Sequence, residues 1–193
     1  MSPMPASAIR IQFQIGHLRP ALGAVILKRI DRGHLYMNGN EFLSVIGLPY
    51  ADSRVKEIVA ACGIHKNPQE AFDSATSSAR LTNLAEGLEL TFEDERHLES
   101  KSRGYDERSL VFVNARMYSD GGDEFKPFTG ILPRGLSFDM GLKDVEAALG
   151  KKPAKDGKGP EIARWEFNGY CIIVSFPDNP LKIGSIAIQT PTL

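Results

Sequence analysis

The sequence predicts an α+β protein of two similar units, each a helix packed on a three-stranded antiparallel sheet, with the two sheets able to run on as one. Three observations lead there. Short stretches alternate apolar and polar residues with the period of two that marks a half-buried strand, at 88–95 ("LELTFEDE") and 109–119 ("SLVFVNARMYS"), and further strand stretches follow at 163–169, 170–178 and 182–190. Two other stretches carry the i, i+3, i+4, i+7 spacing of one buried helical face: Val55, Ile58, Val59 and Cys62, then Leu142, Val145 and Leu149. Finally, the order helix then strands occurs twice. Setting Gly63 on Gly150 places Val55 on Leu142 and Ile58 on Val145, and Phe92 then falls on Phe176 after a small drift in loop length. These marks divide the chain into an N-terminal extension (1–36), a first helix-plus-sheet unit (37–120) and a second (121–193).

The extension holds "IRIQFQI", which reads as a strand, and "ALGAVIL", seven apolar residues that make a short helix or strand. That run is far below the roughly 20 residues needed to cross a bilayer, and it lacks the basic start and small-residue cleavage site of a secretory signal. Met37 is an alternative start. In the first unit a helix is expected near 52–62, capped by Asp52 or Ser53 and stopped by Gly63. The polar stretch 65–80 reads as a loop. A strand follows at 88–93, with Leu88, Leu90 and Phe92 on one side, and then the hydrophilic connection "EDERHLESKSRGYDER". The strand at 109–119 is expected to put Val111, Val113, Ala115 and Met117 on one side and Leu110, Phe112, Asn114 and Arg116 on the other. In the second unit Asp139 is the expected cap and Gly150 the stop of the helix. Its loop 151–161 is rich in Gly, Pro and Lys, as solvated connectors are. Asn168-Gly169 is a strong tight-hairpin signal between the first two strands, and "PDNPLK" makes the next turn.

The chain has 193 residues, 42% hydrophobic and 24% charged, an ordinary globular composition with a net charge of -1. That charge argues against nucleic acid as a partner, whose phosphates are usually met by a strong basic excess. Five basic residues lie in 1–36 against the single acid Asp31, so residues 37–193 carry an acidic excess. Cys62 and Cys171 sit among apolar neighbours and read as small buried hydrophobes. Together these features suit a cytoplasmic protein with no membrane association.

Catalytic chemistry finds little footing. His17, His34, His65 and His97 are scattered, with no metal-ligand spacing and no nucleotide or nucleophile motif around them. No catalytic, cofactor-binding or metal-binding residue is therefore expected. "EDERH" places Glu93, Asp94, Glu95 and His97 close enough to offer an acid and a base, so a small hydrolase or nuclease at Glu93–His97 is one alternative. "SDGGDEF" has a calcium loop's composition without its ligand spacing, and reads as the turn between the units. An antiparallel sheet can leave one face to water, and the side chains considered for such a face are Phe112, Arg116 and Tyr118, with Trp165, Phe167 and Tyr170.

The stretch "GLSFDMGLKDVEAALGKKP", followed by "RWEF", "YCIIVSF" and "IGSIAIQ", resembles the module of the outer-membrane assembly lipoprotein family. There a helix ending in Leu-Gly precedes a Trp-bearing strand and an apolar strand that ends in Phe. A tandem pair of such modules is the plan of the secreted beta-lactamase inhibitor proteins. The same stretch is similar to small cytoplasmic immunity proteins that bacteria encode beside polymorphic or type VI secreted toxins. The likeness covers 128–190 and is weaker over 41–118. Lacking a lipidated Cys, a signal and a disulfide-closed layout, the chain fits the last group best, with an envelope assembly scaffold as a further alternative. The resemblance implies a binder that neutralises a cognate toxin by stoichiometric occlusion, without turnover. Because many toxins carry a basic cleft, acidic contacts would speed association. Glu93, Asp94, Glu95, Asp106, Glu107, Asp120, Asp123 and Glu124, with Arg116 and Tyr118, are the expected partner-binding residues.

Overall fold

The computed structural model describes residues 37–98, 104–106, 108–120, 124–154, 161–177 and 182–191. The whole extension 1–36, together with Glu107 and Asp123, lies outside the described residues.

Strands β1 (Phe72–Asp73), β2 (Ser78–Asn83), β3 (Leu88–Asp94), β4 (Leu110–Tyr118), β5 (Ile162–Phe167), β6 (Tyr170–Ser175) and β7 (Ser185–Gln189) form one sheet. Its spatial order is β1-β2-β3-β4-β7-β6-β5, and every neighbouring pair is antiparallel. The first half of the chain contributes β1–β4 and the second β5–β7. They meet where β4 pairs with β7, from Asn114 opposite Gln189 to Tyr118 opposite Ser185. The molecule is thus α+β with a continuous antiparallel sheet.

Helices α1 (Phe42–Val45), α2 (Ser53–Ala61) and α3 (Leu142–Leu149) are short. Helices of 8 or 9 residues are marginal alone in water, so packing holds them. Val55, Ile58 and Val59 of α2 and Val145 of α3 are buried on the sheet in a single apolar core. One level of that core reads Leu81, Leu90, Ala115, Ile188, Ile172 and Trp165 across six strands, and all six are buried. Each large side chain so placed contributes about 1.5–3 kcal/mol. Phe92 and Phe112 extend the core with ring centroids 5.2 Å apart, and Phe42 lies 6.1 Å from Phe112.

Local chemistry sets the helix ends. The Asp52 Oδ1 accepts from the Arg54 N–H at 2.9 Å, capping α2 as expected. At α3 the start is Gly141, whose N–H donates to the Asp144 carboxylate at 3.0 Å, so the cap comes from within the first turn and not from Asp139. Gly150, at φ 70°, closes α3 in the left-handed conformation. Gly87, at φ 61°, has a second constraint: a Cβ there would collide with the Lys126 carbonyl. The 84–87 turn is tied to the segment that leads to the second half, with Lys126 N–H donating to Leu84 O at 2.8 Å.

Several sequence expectations change. Residues 78–80, read as the end of a loop, form the first half of β2, with Ala79 and Leu81 buried. Strict alternation along β4 fails at a β-bulge. Thr91 faces Asn114 while the next residue, Phe92, faces Phe112, so Val113 is the extra residue. Phe112 therefore joins the core face with Ala115 and Met117. Trp165 and Tyr170 are buried on that same face and Phe167 packs against it, so these aromatic residues are not on the opposite side.

Candidate functional site

Register fixes what the other face carries. Among the described residues all three helices lie on the core side, so the second face is built from strand side chains. One level across β2, β3, β4, β7, β6 and β5 reads Thr82, Glu89, Arg116, Ala187, Ile173 and Arg164. The next reads Arg80, Thr91, Asn114, Gln189, Cys171 and Glu166. Exposure falls from rim to centre: Arg80, Thr82 and Glu166 are exposed, Arg116, Ile173 and Arg164 half-buried, and Ala187 and Cys171 buried.

The charges on this face are partly matched. Glu89, 8% exposed, pairs with Arg80 Nε at 3.6 Å. Arg164 Nε lies 2.9 Å from the Glu166 carboxylate. Arg116 stands directly opposite Glu89, yet its Nε is buried with no hydrogen-bond partner among the described residues. A buried donor in that state costs about 1–3 kcal/mol relative to a satisfied one. Ala187, Ile173 and Cys171 make this face apolar toward β7 and β6, beside the polar groups of β3 and β4.

The expected partner-binding residues fall in separate places. Glu93 is half-buried at the end of β3 on the second face, and Asp106 is exposed just ahead of β4. Asp120 and Glu124 are exposed past the other end of β4, roughly 30 Å away for a strand of 9 residues. Tyr118 stacks on Phe125 at 4.2 Å. Asp94 and Glu95 depart from the solvated loop expected for them: they are 3% and 5% exposed. The Asp94 carboxylate accepts from the Arg96 N–H at 3.0 Å and from its guanidinium at 3.0 and 2.6 Å. This pairing with Arg96 holds the Asp94 carboxyl down to about 2, fixing it as an anion. His97, the other member of the suggested acid and base set, is exposed.

A cavity of about 370 Å³ opens beside the C-terminal end of α2, lined by Met37, Cys62, Asn83, Glu86, Leu88 and Phe128 among others. Its Asn83 side chain is engaged with backbone. Asn83 Nδ2 donates to Cys62 O at 2.8 Å, and Asn83 Oδ1 accepts from Glu86 N at 3.3 Å. Burial, and then the nearby Glu41 charge, push the Cys62 thiol well above its ordinary range, so it is not a ready nucleophile. Cys62 belongs to the core and Cys171 to the second face, and the two are not joined in a disulfide.

Sequence reasoning missed Arg80, Glu89, Gln189 and Arg164 of the second face. The period-two pattern carried the signal: Arg80, Glu89 and Arg164 each lie between two core residues of their strand, and Gln189 follows the core residue Ile188. Among the described residues, no group of three or more His, Cys, Asp or Glu side chains could hold a metal. No helix among them is long and apolar enough to cross a membrane.

No protein-family model matches the chain, and no curated protein matches it. Among solved structures, it is similar to an extracellular protein containing a SCP domain from Bacillus anthracis strain Ames, at 13% identity and a TM-score of 0.45. The match covers 86% of this chain and 49% of that one, so the chain spans about half the length of that structure.

Proposed function

We propose that the chain is an immunity protein, which binds a cognate bacterial toxin in the cytoplasm and neutralises it by stoichiometric occlusion, with the second face of the sheet as its docking surface. The observation that carries this reading is the buried, unpartnered Nε of Arg116 at the centre of that face. Native proteins satisfy nearly all buried polar atoms, and an acceptor from a docked partner would satisfy this one. Glu93 and Asp106 at one end of β4, with Asp120 and Glu124 at the other, give the face acidic flanks. Such flanks favour rapid encounter with a basic toxin. The finer architecture proposed with it is a tandem one: α2 followed by β2-β3-β4, and α3 followed by β5-β6-β7, joined edge to edge at β4 and β7.

The test is co-expression with the product of the neighbouring reading frame. Rescue of growth and copurification at one to one are expected for the wild-type chain. Arg116→Glu should abolish both while leaving the circular dichroism spectrum intact. A wild-type chain that neither rescues nor copurifies overturns the reading.

A further inference from the structure

A second feature lies on the core side of the sheet, away from that face, and does not depend on it. Phe167 and Tyr170 flank the Asn168-Gly169 turn of the β5–β6 hairpin and stack with centroids 5.0 Å apart and planes 15° from parallel. Two cations from separate segments converge on them. Arg134, in the 133–135 turn that leads toward α3, has its carbon Cζ 5.0 Å from the Phe167 centroid and 5.7 Å from that of Tyr170. Its Nε donates to Tyr170 Oη at 2.9 Å, and Nη2 bonds the same oxygen. Lys151, just past the end of α3, puts Nζ 3.9 Å from the Phe167 centroid.

This arrangement concentrates positive charge. Sharing one ring puts the two cations no more than about 9 Å apart, where like charges still repel. Among the described residues neither pairs with a carboxylate, and both are exposed. Asp144, in the first turn of α3, accepts from the Gly141 N–H, and Glu166, next to Phe167 in sequence, pairs with Arg164 on the opposite face. Arg134 also holds a left-handed backbone, φ 57° and ψ 23°, which costs a non-glycine residue about 1–2 kcal/mol. Its own N–H is fixed by Asn40 Oδ1 at 2.9 Å. The guanidinium is therefore pre-positioned by Tyr170, and the Lys151 ammonium sits over the Phe167 ring. Oxyanions suit that pair, and the Arg fork matches a carboxylate in particular. The acidic excess of residues 37–193 disfavours a long polyanion such as nucleic acid, and two cations suffice for one or two carboxylates.

We propose that Arg134 and Lys151, on the Phe167–Tyr170 ledge, form a docking site for an acidic segment of a protein partner, recognised through its side-chain carboxylates. Trp165 supplies a built-in reporter: it is the one tryptophan of the chain, and its Nε1–H donates to Lys151 O at 3.0 Å.

Titrating the full chain with hexaglutamate at low salt, while reading tryptophan fluorescence and heat, tests the site. Saturable binding is expected, weakened at least tenfold by Lys151→Gln and by Arg134→Gly, the glycine keeping the left-handed backbone unstrained. Circular dichroism confirms that each variant is folded, and the exposed Lys151 position keeps the test decisive if the Arg134 variant is not. No saturable binding, or affinity unchanged in Lys151→Gln, overturns the proposal. So does tighter binding of inorganic phosphate or of a single-stranded oligonucleotide than of the peptide, because either would assign the cations to phosphate chemistry.

Discussion

Glu89 and Arg116 stand directly opposite one another on β3 and β4, but Glu89 is ion-paired to Arg80 while the Arg116 Nε is buried and has no hydrogen-bond partner among the described residues. The pairing that register invites is not the pairing that forms. Arg116→Met keeps the long apolar stem and removes the unsatisfied donor. Chemical denaturation should show a variant as stable as the wild type, or more stable by up to about 1–2 kcal/mol. Affinity for the cognate partner should fall at least tenfold in a pull-down or calorimetric titration. A loss of stability without loss of affinity would make Arg116 a structural residue.

The Asp94–Arg96 pair sets an acid-side dependence. Hydrogen bonds from Arg96 lower the Asp94 carboxyl from 3.8 to about 2. A depressed carboxyl contributes stability that is complete above its unfolded value and is lost as pH falls through the interval down to its folded value. Stability of the wild type should therefore decline between about pH 4 and 2 more than that of Asp94→Asn, measured by urea midpoints. At neutral pH the variant should lose roughly 1 kcal/mol, since Arg96 is half exposed and the pair is partly screened.

Glu41 behaves in the opposite sense. Burial raises its carboxyl above the ordinary 4.5, and its Oε2 is buried with no hydrogen-bond partner among the described residues. The folded state thus favours the protonated form, and stability is lost as pH rises from 4.5 through the folded value. Glu41→Gln should flatten that decline and be more stable than the wild type at neutral pH, as thermal melts across a pH series would show.

One core beneath one sheet predicts one unfolding transition. Phe92→Ala in the first half and Trp165→Ala in the second each delete a fully buried ring and should cost about 3–5 kcal/mol. Both should shift the same cooperative melt without splitting it, by circular dichroism and calorimetry. Trp165→Phe should cost less, about 1 kcal/mol beyond its packing change, for the bond to Lys151 O. A biphasic melt in either alanine variant would show that the halves fold as separate units.

Local signals in the sequence determined the helices at Val55–Val59 and Leu142–Leu149, the strands at Leu88–Asp94 and after Arg164, and the Asn168-Gly169 hairpin. Each of these depends on spacing within a few residues. Tertiary structure decided what periodicity cannot carry. The bulge at Val113 turned Phe112 toward the core, because two strands of fixed length had to match the apolar residues at both ends of β3. It also decided that Asp94 and Glu95 are buried, that the acidic residues divide between the two ends of β4, and that Arg134 and Lys151 meet on Phe167. Those placements come from pairings between segments distant in the chain, and a one-dimensional pattern records a residue's neighbours along the backbone but not the partners that folding brings across to it.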